Sequence, residues 1–309
     1  MNFIRTSLLG LLVLFASANR AYAGGLQVKE IMENVFAIVG DMGQRSPENL
    51  GNNATFGLVV TDAGAVLIDT GGTYKGAERL AAVIKSITDK PIKIVINSGG
   101  QDHRWLGNGY FKEKGARIIA SAAAVADHRE RSNGQLQSLA FLVGDKGLDG
   151  TRAVYADEIF EDGLSFDFGG VRFELTATGG AHTPGDAVIW LPGQRTAFTG
   201  DMVYLERMLG VASFSDFKNW MPAFQAMAAN KPEHVVPGHG NPSSLERARA
   251  DTYDYLVNLN KRVSGVLENG GAIEDAIAVD QEAFKYLLNF DQLARRNAQE
   301  VYVQLEFDF

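Results

Sequence analysis

Ala65-Val66-Leu67-Ile68-Asp69-Thr70-Gly71-Gly72 is an apolar run that ends at an aspartate and turns on two glycines. A short apolar run bounded by turn formers reads as a strand. Upstream, Val35 to Val39 and Thr55 to Val60 read the same way. Downstream, residues 75 to 89 place Leu80, Val83, Ile84 and Ile87 on one helical face. Ile92 to Ile96 is the next strand, ending at Asn97, followed by a helix over Leu106 to Lys114 and a strand over Ala116 to Ala120. Residues 122 to 149 read as mostly helical or irregular, an insertion over the site.

The second half repeats the alternation. Val171 to Thr178, Ala187 to Leu191 and Thr196 to Thr199 are short strands separated by turn residues. Trp220 to Asn230 is an amphipathic helix, and His234-Val235-Val236 is a buried strand that runs into Pro237-Gly238-His239-Gly240. From Ser243 onward the chain is helix-forming, broken at Gly270-Gly271. Strands and helices alternating twice before a helical tail predict a layered α/β sandwich with one catalytic domain and a helical extension.

The chain has 309 residues, 46% of them apolar, enough for a full-sized core without cross-links. Residues 1–23 read as a secretory signal: Arg5, an apolar run from Leu8 to Phe15, then Ala21-Tyr22-Ala23 as the cleavage site. That run is shorter than the roughly 20 residues a membrane span needs. The expected mature chain is therefore periplasmic or secreted, starts near Gly24 and has no membrane association. Removing Arg5 and Arg20 leaves 27 basic against 37 acidic residues, a formal charge of −10. Such an acidic surface argues against nucleic acid and for a small-molecule substrate or a basic periplasmic protein. There is no cysteine, so any metal must be held by imidazole and carboxylate.

Of five histidines, His103, His182 and His239 sit in turns directly after predicted strands. Rigid scaffolds present ligands from such strand ends. Asp201 joins them after Thr199-Gly200, where glycine permits a tight turn. His128 lies in the charged stretch Asp127-His128-Arg129-Glu130 and reads as a solvated residue, while His234 reads as a core or supporting group.

These turns resemble the metallo-β-lactamase superfamily over roughly residues 30 to 245. The matching marks are Leu67-Ile68-Asp69-Thr70-Gly71, the loop from Asn97 to Asn108, Ala181-His182-Thr183-Pro184-Gly185, Phe198-Thr199-Gly200-Asp201 and Val236-Pro237-Gly238-His239-Gly240. The tail, from Arg295-Arg296-Asn297-Ala298 to Leu305-Glu306, is similar to exported relatives linked to sulfur oxidation or quinoprotein systems. The resemblance implies a four-layered αββα sandwich over residues 24–245, with residues 246–309 as a helical C-terminal extension packed on it.

The chain departs from the family at its first metal motif, H-x-H-x-D-H followed by two residues and Gly-Asn. Here the segment reads Asn97-Ser98-Gly99-Gly100-Gln101-Asp102-His103-Arg104-Trp105-Leu106-Gly107-Asn108. Aligned without a gap, Gly99 and Gln101 replace the paired histidines, His103 the aspartate and Arg104 the last histidine. Shifted by one, Asp102-His103 restores the D-H pair. Either way the paired histidines are missing, so the resemblance implies one ion rather than two. His103, Asp201 and His239 would hold it, with Asp102 or His182 as a fourth ligand. Zinc is the expected metal, with manganese and iron compatible with the donor set.

Metal-assisted hydrolysis of an ester, thioester, lactone or amide is the implied chemistry, with Asp102 orienting or deprotonating the water. Asp69 is expected to position the metal loops, and Asp186 to orient His182 or cap its turn. Arg104 has three readings: it repels the cation, clamps a substrate anion, or points outward at a helix start. The rival to the hydrolase is a non-catalytic periplasmic binding or accessory protein that kept the fold after losing ligands.

Overall fold

The computed structural model describes residues 25–308, so the segment read as an export signal lies outside the described residues. Among the described residues, twelve strands form two sheets. The first holds β1 (Gln27–Met32), β2 (Val35–Val39), β3 (Thr55–Thr61), β4 (Gly64–Ile68), β5 (Ile92–Ile96), β6 (Arg117–Ser121) and β7 (Glu158–Phe160), in chain order. Pairing is antiparallel up to β4 and parallel from β4 to β7. The second sheet holds β8 (Gly163–Phe168), β9 (Val171–Ala177), β10 (Ala187–Leu191), β11 (Thr196–Phe198) and β12 (His234–Val236), with only β11 and β12 parallel.

Helices cover both outer faces. They are α1 (Tyr74–Lys85), α2 (Asp102–Trp105), α3 (Asn108–Glu113), α4 (Ala122–Leu148), α5 (Phe217–Ala229), α6 (Leu245–Ala248), α7 (Asp254–Glu268), α8 (Ile273–Ile277) and α9 (Phe290–Leu305). The 122 to 149 segment is thus α4, broken only at Gly144 with φ 72° and ψ 162°. The α1 helix starts where the Thr73 hydroxyl accepts the Gly76 N–H, and it buries Ala77, Leu80, Val83 and Ile84.

The period of two along each strand builds the layers. Val66 and Ile68 of β4 point between the sheets and meet Phe173, Ile189, Phe198 and Val236. Their neighbours Ala65 and Leu67 face the other way, onto Leu80, Val83 and Ile84 of α1. Behind the second sheet, Val235 and Ala197 join Trp220 and Phe224 of α5, Leu256 and Leu259 of α7 and Val301 of α9. This is the αββα order, with the C-terminal helices on the second sheet's outer layer. Close approach of the sheets depends on Gly57, because a Cβ there would lie 2.4 Å from the Phe198 ring.

Asn297 of α9, fully buried, ties the C-terminal helices to the loop after β11. Its side-chain oxygen accepts the Val211 N–H at 2.9 Å, and its amide donates to the Leu209 carbonyl at 2.8 Å and the Tyr255 hydroxyl at 3.0 Å. Removing it strands a buried N–H and a buried carbonyl, each worth about 1–3 kcal/mol when unmet. Asn297→Ala should therefore lower the unfolding free energy by about 2–4 kcal/mol, read by urea denaturation, whereas Arg295→Ala on the exposed face of the same helix should change it little.

Candidate metal centre

The ends of β4, β5, β11 and β12 and the turn before β10 converge on one rim of the sandwich. Asp69 follows β4 and accepts the Ser98 N–H and hydroxyl, each at 2.7 Å, which fixes the loop after β5. Thr55 at the start of β3 binds the β12 loop twice, through its N–H to the Gly238 carbonyl and its hydroxyl to the Gly240 carbonyl. Gly200, at φ +51°, turns the chain so that Asp201 faces inward; a Cβ there would lie 2.4 Å from the Ser98 hydroxyl.

His103, Asp201 and His239 come together as a buried set whose ligand atoms all lie within 4.8 Å of one another. His103 Nε2 is 3.0 Å from one Asp201 oxygen and His239 Nε2 3.1 Å from the other. Two nitrogens and a carboxylate are a chemically apt donor set for one divalent ion. Asp102 and His182 stand outside that set. Asp102 pairs with Arg45, and it also accepts the His103 N–H at 2.8 Å. Burial opposes its charge, but Arg45 and His103 outweigh burial and hold its carboxyl well below the usual carboxylate range. His182 has Nδ1 3.0 Å from the Gly210 carbonyl. Nδ1 therefore carries the hydrogen, which leaves Nε2 an acceptor on a ring that lines the cleft. Burial lowers this imidazole to about 4, so it is neutral at pH 7.

Arg104 is wholly buried, not turned outward, and it spends all five N–H donors. Nε and Nη2 fork onto Asp201 at 3.1 and 2.6 Å. Nη1 reaches Asp69 at 2.9 Å and the Thr55 carbonyl at 3.1 Å, and Nη2 also reaches the Gly238 carbonyl at 2.7 Å. With the two imidazoles, Asp201 faces four polar partners, one for each of its lone-pair positions. Burial opposes the Asp201 charge, yet Arg104, His103 and His239 keep its carboxyl well below the ordinary range.

Among the described residues, the positions matching the family's paired histidines hold no imidazole. At Gly99 a Cβ would meet an Asp186 oxygen at 2.5 Å, so a histidine cannot be accommodated there without displacing Asp186. Asp186 itself accepts the N–H and hydroxyl of Thr183 and so holds the turn that carries His182. Gln101 lines the cleft with its carbonyl oxygen buried and unpartnered.

Sequence reasoning missed two residues beside this set. Arg45 Nη2 lies 2.8 Å from His103 Nδ1, and Arg207 Nη1 lies 3.0 Å from His239 Nδ1. They come from loops with no motif to flag them. A guanidinium only donates, so in this geometry both Nδ1 atoms accept and both Nε2 atoms carry the hydrogen that faces Asp201. An ion bound at Nε2 needs the opposite tautomer, which requires Arg45 and Arg207 to turn aside.

His128 is also unlike its reading. It is fully buried, stacked on Trp105 at 4.2 Å between ring centroids, with Nε2 3.0 Å from the Gly99 carbonyl. The charges around it belong to the other faces of α4: Arg131 pairs with Asp127, and Arg129 lies over the Tyr155 ring.

With the geometry in view, the family is plain: residues 51–239 match the family model described as the metallo-beta-lactamase superfamily, and the chain belongs to it. It has a hydrolase-type fold and a candidate His/Asp metal site. Among individual relatives, it is 23% identical over 193 residues to the "Metallo-beta-lactamase type 2" of Bacteroides fragilis, covering 61% of this chain and 70% of that one. A metallo-beta-lactamase from Pontibacter korlensis superposes with a TM-score of 0.59 at 24% identity, over 72% of this chain and 95% of that one. The sec-alkylsulfatase Pisa1 from Pseudomonas sp. covers more of this chain, 89%, with a TM-score of 0.67 at 21% identity. The alignment spans 49% of that longer protein. At these identities the solved structures establish the fold.

Two predictions follow from the buried charges. Arg104→Met leaves Asp69 and Asp201 without their cation, and breaking a buried pair in this way costs about 3–5 kcal/mol; chemical denaturation should show that loss, while Arg172→Met in an exposed pair should show almost none. His128 is held by burial at about 4 against an ordinary 6.5. The unfolded chain therefore takes up a proton that the folded chain refuses, and stability falls as pH drops from 6.5 towards 4 and levels off below. His128→Gln keeps a donor for Gly99 and should flatten that part of the curve by about 3 kcal/mol.

Proposed function

We propose that the protein is an exported, mononuclear metal-dependent hydrolase that cleaves an ester, thioester, lactone or amide of a small molecule. The observation that carries this reading is the convergence of His103, Asp201 and His239 beneath a cleft, with a donor set that suits a single zinc ion. Manganese and iron fit the same donors less selectively. A divalent ion held there would supply Lewis acidity, polarising the scissile bond and acidifying a nearby water.

The protein's own groups divide the remaining work. His182 keeps a neutral ring nitrogen available as an acceptor or a fourth ligand, its tautomer fixed by the Gly210 carbonyl. Asp102, committed to Arg45, is a weak base in this arrangement and positions that arginine. Asp69, through Ser98 and Arg104, holds the floor on which His103 and Asp201 rest. Export rests on the residue pattern before Gly24 and is independent of the site.

A metal-free binding protein is the second reading, and one observation favours it. Arg104 already neutralises Asp201, and two further arginines hold the histidines in the tautomer that an ion does not use. Metal analysis separates the two. Protein purified from its native compartment, with a mature mass starting near Gly24, should carry about one zinc per chain, lost in His239→Ala, and hydrolyse at least one compound in a panel of esters, thioesters and lactones. Less than roughly a tenth of an equivalent after incubation with zinc selects the binding protein. About two equivalents would contradict the closed position at Gly99.

A further inference from the structure

Away from the metal centre, a cavity of about 240 Å³ lies between α5 and the outer face of β9 and β10. Close-packed interiors leave few voids of this size, and an apolar cavity of about 150 Å³ is already enough to bind benzene. The space follows from side-chain choice. Helix α5 turns Ala223 and Ala226 toward it, where longer side chains would close the gap to Val188 and Trp190 of β10. None of the nine residues that line it is charged, although 21% of the chain is. Thr178 is among them, and its N–H and hydroxyl both donate to the Asp186 carbonyl at 2.9 Å, closing the turn that carries His182. A molecule held in the cavity therefore touches that turn from outside the metal centre.

The three tryptophans show what sets this place apart. Trp105 and Trp220 are wholly buried, and each indole N–H has an acceptor: the Gln135 side-chain oxygen at 3.0 Å and the Met202 carbonyl at 2.8 Å. Trp190 is partly exposed and lines the cavity, and its indole N–H meets no acceptor among the described residues. The Thr176 hydroxyl and the Asn230 side-chain amide, also in the lining, are open in the same way. An aromatic face with a free N–H donor matches a flat partner that carries an acceptor oxygen. Water satisfies the donor but not the apolar walls of Val188, Ala223 and Met227. Charge decides the rest: an ionised group would lose its water here and find no counter-charge, so the space selects a neutral molecule.

We propose that this cavity is a binding site for a neutral aromatic molecule bearing an acceptor oxygen, its ring against Trp190 between β10 and α5 and its oxygen at the Trp190 N–H. The site is separate from the candidate metal centre, because no residue lines both this cavity and the cleft over His103, Asp201 and His239. It requires neither an ion nor the hydrolase reading, so zinc analysis and this proposal stand or fall independently.

The experiment is a titration of nitrogen-15-labelled full-length protein with acetophenone, a neutral ring bearing one carbonyl oxygen, followed through the indole N–H cross-peaks of the three tryptophans. Trp190→Phe identifies its peak by removing it. Saturable movement of that peak is expected, with a Kd below about 1 mM, while the Trp105 and Trp220 peaks stay in place. Benzoate, a similar ring with an ionised carboxylate, should bind at least about tenfold more weakly, because the lining offers no cation. Ala226→Leu fills the space from an exposed helix position and should weaken acetophenone about tenfold, whereas Ala229→Leu, exposed but outside the lining, should leave it unchanged. Absence of saturable movement in that range overturns the proposal. So does benzoate binding as tightly as acetophenone, wild-type affinity in folded Ala226→Leu, or an equal loss in Ala229→Leu. Should Ala226→Leu fail to fold by circular dichroism, Ala226→Gln adds similar bulk with a polar end and decides by the same criterion.

Discussion

The site rests on one buried guanidinium. Arg104 joins four segments that are far apart in sequence: Thr55 at the start of β3, Asp69 after β4, Asp201 after β11 and Gly238 after β12. Two come from each sheet, so its five donors lock the rim of the sandwich where the layers would otherwise be free to splay. A buried ion pair contributes little net stability compared with apolar packing, because desolvation offsets most of the Coulomb gain. What it enforces is geometry. Both carboxylates are pinned by a planar fork, and the loops that carry them inherit that precision.

That choice shapes everything above it. Asp201 is neutralised from below, so a divalent ion on the cleft side meets a carboxylate already sharing its charge. Asp186 occupies the space a histidine at position 99 would need, so the lost ligand is not an isolated substitution but part of a repacked pocket. The arginines at 45 and 207 then face the outer nitrogens of the two remaining histidines. Site charge has shifted from the metal's side of the balance to the protein's.

Much of this frame was legible in the sequence. Val66 and Ile68 against Ala65 and Leu67 show why: a strand covered on both sides is apolar at every position and stands out. The exposed edge strands β1 and β8 do not. β1 and β8 alternate partly buried with exposed residues, and Gly163-Leu164-Ser165-Phe166-Asp167-Phe168 shows its alternation only once the partner β9 is known. The turns bearing His103, Asp201 and His239 were legible because glycine and proline frame them. His128 was misread because its neighbours are charged, and only the stacking of Trp105 across α2 reveals a buried face. Arg45 and Arg207 had no local signal, since their meeting with the histidines is a property of the folded chain alone.

The C-terminal helices belong to the same argument. Asn297 fixes Leu209 and Val211, and the carbonyl between them, that of Gly210, sets the tautomer of His182. Gln304 reinforces the same loop through the Ala212 carbonyl and the Phe217 N–H. Residues at the far end of the chain thus decide which nitrogen of a cleft histidine is free to accept. A truncated sandwich could keep both sheets, the Arg104 lock and the three converging ligands, and still lose the wall that gives His182 its orientation. The helical tail is therefore a structural condition of the site and not a separate attachment to it.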